Sequence, residues 1–99
     1  MIDIVLLSKR AQKDLKKVPI HIIGKLDSWI SSVEKDRLEE VRKIPGYHDE
    51  PLKGERAGQR SIRLSKSFRA MYTVRQDETA KRTPIVKFVL IEEVTKHDY

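Results

Sequence analysis

No cysteine occurs in the 99 residues, which excludes a disulfide scaffold, cysteine-ligated zinc and thiol chemistry. Long hydrophobic runs are absent as well. The longest apolar stretch, Val86 to Ile91, is interrupted at Lys87 and is far too short to span a bilayer. The opening MIDIVLLSKR has no basic residue ahead of its apolar run, so no secretory signal is expected. Glycine is scarce, with 4 residues, and neither a Gly-rich phosphate loop nor a Gly-x-Ser-x-Gly elbow is present. The 3 histidines lack metal-ligand spacing such as His-x-x-x-His, so neither a metal nor a cofactor is expected. What remains is a cytoplasmic protein with one domain over residues 1–99.

What the chain has in quantity is positive charge: 21 Lys+Arg against 15 Asp+Glu, a formal +6. The excess is concentrated. From Lys53 to Arg75, the residues Lys53, Arg56, Arg60, Arg63, Lys66, Arg69 and Arg75 face a single acid, Glu55. A basic patch on one part of a small domain points to a polyanion, most often a nucleic acid. A solvated basic surface with no partner is the bland alternative.

Met1 to Leu7 reads as a first strand, being short, apolar and rich in β-branched residues. Ser8 stands where an N-cap should, ahead of a helix carrying Ala11, Leu15 and Val18 at helical spacing. Pro19 ends it and opens the next, whose stripe is Ile22, Ile23, Leu26, Trp29, Ile30 and Val33. That stripe resumes at Leu38 and Val41, with a bend, and Ile44-Pro45-Gly46 stops it. Tyr47 to Gly58 reads as a loop. Ser61 to Ser65 and Phe68 to Val74 then alternate with period two, and Ile85 to Val94 is a nearly continuous central strand. The order β-α-α-β-β-β predicts an α+β domain, a two-helix hairpin on one face of a mainly antiparallel sheet.

The register of the basic hairpin follows from its pattern. Ile62, Leu64, Phe68, Ala70, Tyr72 and Val74 must face the helices, and residues opposite each other share a face. Pairing Leu64 with Phe68 and Ile62 with Ala70, across a three-residue turn, meets both conditions. It also sets Arg63 directly opposite Arg69 on the face away from the helices. Like charges placed so cost about 0.2–1 kcal/mol. A phosphate between two guanidinium forks would account for them; neutralisation by Glu92, Glu93 or Glu55 is the structural alternative.

Lys96-His97-Asp98-Tyr99 follows the central strand and reaches the end of the sheet. A histidine beside arginines and phosphate can transfer protons near neutral pH; a frayed polar tail is the simpler alternative. His48, between Tyr47 and Asp49, reads as a surface group or a local hydrogen-bond partner. His21, at a helix start, has no assigned role.

Four segments, in order along nearly the whole chain, carry a family resemblance: Leu38 to Gly54 (LEEVRKIPGYHDEPLKG), Gly58 to Ser65 (GQRSIRLS), Phe68 to Tyr72 (FRAMY) and Glu93 to Tyr99 (EVTKHDY). The chain resembles toxins of the RelE/ParE superfamily, and within it the HigB/RelE-type toxins of bacterial type II toxin–antitoxin systems. The resemblance implies a microbial RNase-like fold and a cytoplasmic endoribonuclease that cuts translated mRNA on the ribosome, without a metal. It also implies a cognate antitoxin, contact with operator DNA only through the antitoxin complex, and no membrane partner. Carried over by position, Arg63 and Arg69 would hold the scissile phosphate, with Phe68 replacing the family's tyrosine before Arg69. Tyr99 would stack on a base, His97 would be the general acid, and Lys53 would approach phosphate. His48 is the candidate base, with Lys53 its competitor. Arg56, Arg60, Lys66 and Lys96 would bind RNA. A ParE-like toxin that inhibits DNA gyrase, and a non-catalytic basic nucleic-acid-binding module, are the competing functions.

Overall fold

The structure, a computed structural model, describes residues 1–77 and 86–96. The chain opens with the short strand β1 (Val5–Leu7). At Ser8 the backbone is still extended, and its hydroxyl accepts the Ala11 amide at 3.0 Å, capping α1 (Lys9–Leu15). Pro19, which has no N–H to offer a preceding turn, is the N-cap residue of α2 (Ile20–Asp36). The stripe Ile22, Leu26, Trp29 and Val33 is fully buried. Arg37 then adopts a left-handed φ of 75°, and the stripe resumes in α3 (Leu38–Val41), with Leu38 and Val41 buried. The expected bend is therefore one residue with a helix-incompatible backbone. A 3₁₀ turn over Pro45–Tyr47 buries Tyr47 and leads back to the sheet.

Four further strands follow: β2 (Glu50–Pro51), β3 (Arg60–Arg63), β4 (Phe68–Gln76) and β5 (Lys87–Lys96). The sheet order is β1-β5-β4-β3-β2, with β1 parallel to β5 and all other pairs antiparallel. The α+β class and the mainly antiparallel sheet are as expected. The additional strand, β2, lies inside the segment expected to be a loop. Two residues, one of them proline, carry no periodicity to read, and Pro51 is tolerated because β2 is an edge strand.

The core lies between the helices and one sheet face. Ala11, Ile22, Leu26, Trp29 and Val33 meet Ile62, Leu64, Ala70, Tyr72, Val89, Ile91 and Val94. Trp29 and Tyr72 hold their ring centroids 5.3 Å apart, tilted by 45°. Each fully buried side chain of this size stabilises the fold by about 1.5–3 kcal/mol. Val74 keeps core-side register opposite Val89 but is 38% exposed, so the helical layer stops short of that end of β4.

Past the end of β1, α1 takes over the edge of β5 with side-chain hydrogen bonds. The Ser8 hydroxyl donates to the Glu92 carbonyl at 2.7 Å, and the Val94 amide donates to Asp14 Oδ2 at 3.0 Å. Among the described residues no α-helix covers the opposite face of the sheet.

Candidate active site on the open sheet face

The basic hairpin has the register its pattern demands. Ile62 pairs with Ala70 and Arg63 with Arg69, and the Leu64 amide donates to the Phe68 carbonyl at 2.9 Å. Ser65 to Ser67 form the turn, where the Ser65 hydroxyl accepts the Ser67 and Phe68 amides, both at 3.1 Å. The two arginines are therefore directly opposed, with both side chains leaving the open face. Arg69 Nη1 donates to the hydroxyl of the buried Ser61 at 3.2 Å. Arg63 Nε is buried, and among the described residues its side chain makes no hydrogen bond or ion pair.

Two of the carboxylates that could have neutralised Arg63, Glu92 and Glu93, are committed elsewhere. Between Met71 and Tyr72 the β4–β5 register shifts: Met71 faces Glu93, whereas Tyr72 faces Ile91. Glu92 is thus the extra residue of a β-bulge, and bulges re-aim side chains. Glu92 accepts from Gln59 Nε2 at 2.6 Å, Thr73 Oγ1 at 2.8 Å and Arg75 Nη2 at 2.9 Å. Glu93, only 6% exposed, accepts from Arg56 Nη2 at 2.8 Å and lies 3.8 Å from Arg10 Nη1. Together they tie the loop between β2 and β3 down onto the open face. That loop turns through left-handed conformations at Gly54 and Gly58, which glycine adopts without strain.

Burial raises the Glu92 pKa, but the hydrogen bonds from Arg75, Thr73 and Gln59 outweigh it and hold the group below the usual carboxylate range. Stability from such a group is complete above the unfolded value, about 4.3 for Glu, and is lost as pH falls through the folded one. Glu92→Gln is therefore expected to lower Tm at neutral pH and to flatten the decline of Tm between about pH 5 and 3. Thermal melts across that range check it. A decline as steep as in the parent protein would show that these contacts add no net stability.

The expected site residues divide into groups. Arg63 and Arg69 come together as expected, and Arg56 reaches the same face through Glu93. Lys53, exposed, precedes the 3₁₀ turn Gly54–Arg56 of the tethered loop, and Lys66 is exposed in the Ser65–Ser67 turn. Arg60 is placed differently from the expectation. It pairs with Tyr72, a core residue, so it points to the helix side, where its Nε donates to Asp49 Oδ1 at 2.5 Å. Lys96 pairs with Phe68 and shares its side of the sheet, not that of the arginines. His48 is exposed and left-handed (φ 45°) after the Pro45–Tyr47 turn, and its neighbour Asp49 is drawn to the helix side. His97 and Tyr99 lie outside the described residues.

One residue of this face escaped the sequence analysis. Glu50, in the short strand β2, pairs with Ser61 and so shares the open face with Arg63 and Arg69. Directly opposed residues bring their Cβ atoms to about 4.5–5.5 Å, and the Arg69 guanidinium already touches the Ser61 hydroxyl. Glu50 is exposed, and among the described residues its side chain makes no hydrogen bond or ion pair. The signal that could have found it is the pairing of Glu50 with Ser61, which only becomes readable once β2 is known to be a strand. The face thus offers two opposed arginines and, among the described residues, an unengaged carboxylate, a set that suits cleavage of a phosphodiester by acid–base and electrostatic catalysis.

No protein-family model matches the chain, and no curated protein matches it in sequence. Solved structures do match in shape. A YoeB/ParE toxin from Agrobacterium tumefaciens superposes with a TM-score of 0.65 at 17% identity, covering 96% of this chain and 99% of that one. YafQ from E. coli gives 0.68 at 18% identity over 94% and 91% of the two chains. The RelBE2 toxin–antitoxin complex from Mycobacterium tuberculosis gives 0.62 at 22% identity over 95% and 96%. This chain has the fold of those toxins over nearly its full length.

Proposed function

We propose that the chain is the toxin of a type II toxin–antitoxin pair and an endoribonuclease acting on translated mRNA. The observation that supports this best is the pair Arg63–Arg69. Three nearby arginines each take a carboxylate: Arg56 takes Glu93, Arg60 takes Asp49 and Arg75 takes Glu92. Arg63, facing Arg69, is left with none among the described residues. A guanidinium without a carboxylate, kept opposite a second arginine, suits a phosphate brought by substrate.

In the reaction a ribose 2′-oxygen attacks the adjacent phosphorus while Glu50 accepts its proton. The P–O5′ bond breaks, leaving a 2′,3′-cyclic phosphate on one fragment and a 5′-hydroxyl on the other. Arg63 and Arg69 meet the charge that grows on the non-bridging oxygens. The leaving oxygen needs a proton, and His97 remains the expected donor by resemblance. Lys53, Arg56 and Lys66 lie on loops that could follow the RNA backbone. A partner that neutralises the toxin has to cover this face, and the formal charge of +6 favours an acidic antitoxin segment. No helix among the described residues is long and apolar enough to cross a membrane.

Induction of the protein alone is expected to arrest growth and stop translation within minutes, and co-expression of the neighbouring reading frame to restore both. Mapping of 5′ ends on a translated message should show new cuts. Intact transcripts with loss of DNA supercoiling would instead assign a gyrase-directed toxin. Normal growth at verified expression would leave a binding module.

A further inference from the structure

Glu50 is presented by a strand of two residues, with only the pairs Glu50–Ser61 and Pro51–Arg60 to hold it. So short a ladder specifies its register weakly, and a slip of one residue would turn Glu50 to the helix side. The residue before it supplies what the ladder lacks. Asp49 has 1% of its side chain exposed. Its Oδ1 accepts from Arg60 Nε and its Oδ2 from the Tyr72 hydroxyl, both at 2.5 Å. Its backbone carbonyl accepts from Arg60 Nη2 at 3.2 Å, and Arg42 Nε donates to the Tyr72 oxygen at 3.2 Å. The anchors belong to rigid parts of the fold. Tyr72 is fully buried against Trp29 on β4, Arg60 begins β3, and Arg42 follows the last turn of α3.

We propose that Asp49, with Arg60 and Tyr72, is a positioning set for Glu50: a buried clamp on the helix side of the sheet that fixes the register of β2. It thereby holds the Glu50 carboxylate on the open face beside Ser61 and Arg69. This inference rests on Glu50 being the proton acceptor of the proposed reaction. Strand geometry gives the coupling, since neighbouring side chains point to opposite faces and a clamp on one sets the direction of the other. Burial pushes the Tyr72 hydroxyl well above its ordinary pKa, so it stays a donor to Asp49 across the physiological range. A buried ion pair adds little dependable stability after desolvation, and fixing register is its best-attested use.

The test is a double-mutant cycle. Asp49→Asn and Tyr72→Phe are each made in the parent protein and in the Glu50→Gln background. Cleavage of a translated message, binding of an RNA with a 2′-deoxy scissile nucleotide, and the Glu50–Ser61 cross-strand NOE are then measured. Each single variant should lose cleavage by about 100-fold, the scale of a misplaced catalytic group. Affinity for the uncleavable RNA should stay within about threefold, because the arginines are not moved. In the Glu50→Gln background neither substitution should cost more, since the group being positioned is already gone. Tyr72→Phe keeps the ring in the core and carries the cycle where Asp49→Asn does not fold.

Losses that multiply in full with Glu50→Gln, or unchanged cleavage by folded single variants, would overturn the clamp. Collapse of both variants would overturn it too, by making the cluster a part of the core. Should the parent protein cut no RNA, the proposed function fails, and the NOE then decides the clamp by itself. Its survival in both variants would refute the clamp; its loss, with the β3–β4 contacts kept, would support it.

Discussion

Arg63→Ala is expected to reduce cleavage of a translated message by about 10²–10³-fold, the usual cost of one lost oxyanion contact, and to leave the chain folded. Arg69→Ala should lose activity by a similar factor. The stability effects differ in an informative way. The two side chains face each other directly on β3 and β4, where like charges cost about 0.2–1 kcal/mol. Removing Arg63, whose side chain makes no hydrogen bond among the described residues, should raise Tm slightly. Removing Arg69 also removes its bond to the Ser61 hydroxyl, so its gain should be smaller or absent. Arg63→Lys should restore only part of the activity, since an ammonium cannot present the flat two-pronged donor set that fits phosphate oxygens. Thermal melts and 5′-end mapping on the same purified variants give both readouts. Full cleavage by both alanine variants would make the pair structural. Unfolding of both would place the side chains in the core, against the register seen here.

The hairpin was legible because it alternates. Every core-facing residue from Ile62 to Tyr72 is apolar, so only one pairing buries them together, and that pairing sets Arg63 against Arg69. The helices were legible for the same reason, through the Ile22–Val33 stripe and the Ser8 cap. The rest was hidden by features that leave no period. β2 is too short for one, and Glu50 became a site residue only through its pairing with Ser61. The bulge at Glu92 inserts a single residue into an otherwise regular strand. Without it, strict alternation would send one of Glu92 and Glu93 onto the helix face; with it, two consecutive acids hold Gln59 and Arg56. Arg60 looked like its neighbours in a basic segment, yet alternation alone sends it to the other side of β3 from Arg63. Counting charge along the segment treated as one patch what the pleat divides between two faces.

Glu50→Gln is expected to cost about 10²–10⁴-fold in cleavage, the range for a lost general base, whereas His48→Ala should cost little. The substitution keeps the size of the side chain and removes its charge, so affinity for an uncleavable RNA should hold or rise slightly as one negative charge leaves the face. Glu50, Glu92 and Glu93 all leave this face, and their partners among the described residues separate them. Glu92 accepts from Arg75, Thr73 and Gln59, and the nearly buried Glu93 from Arg56, so each would have to give up or share a cationic partner to serve a 2′-hydroxyl. Glu50 gives up none. Full activity in Glu50→Gln together with a large loss in His48→Ala would return the base to His48. It would also require the loop after Tyr47 to swing across the edge of the sheet when RNA binds.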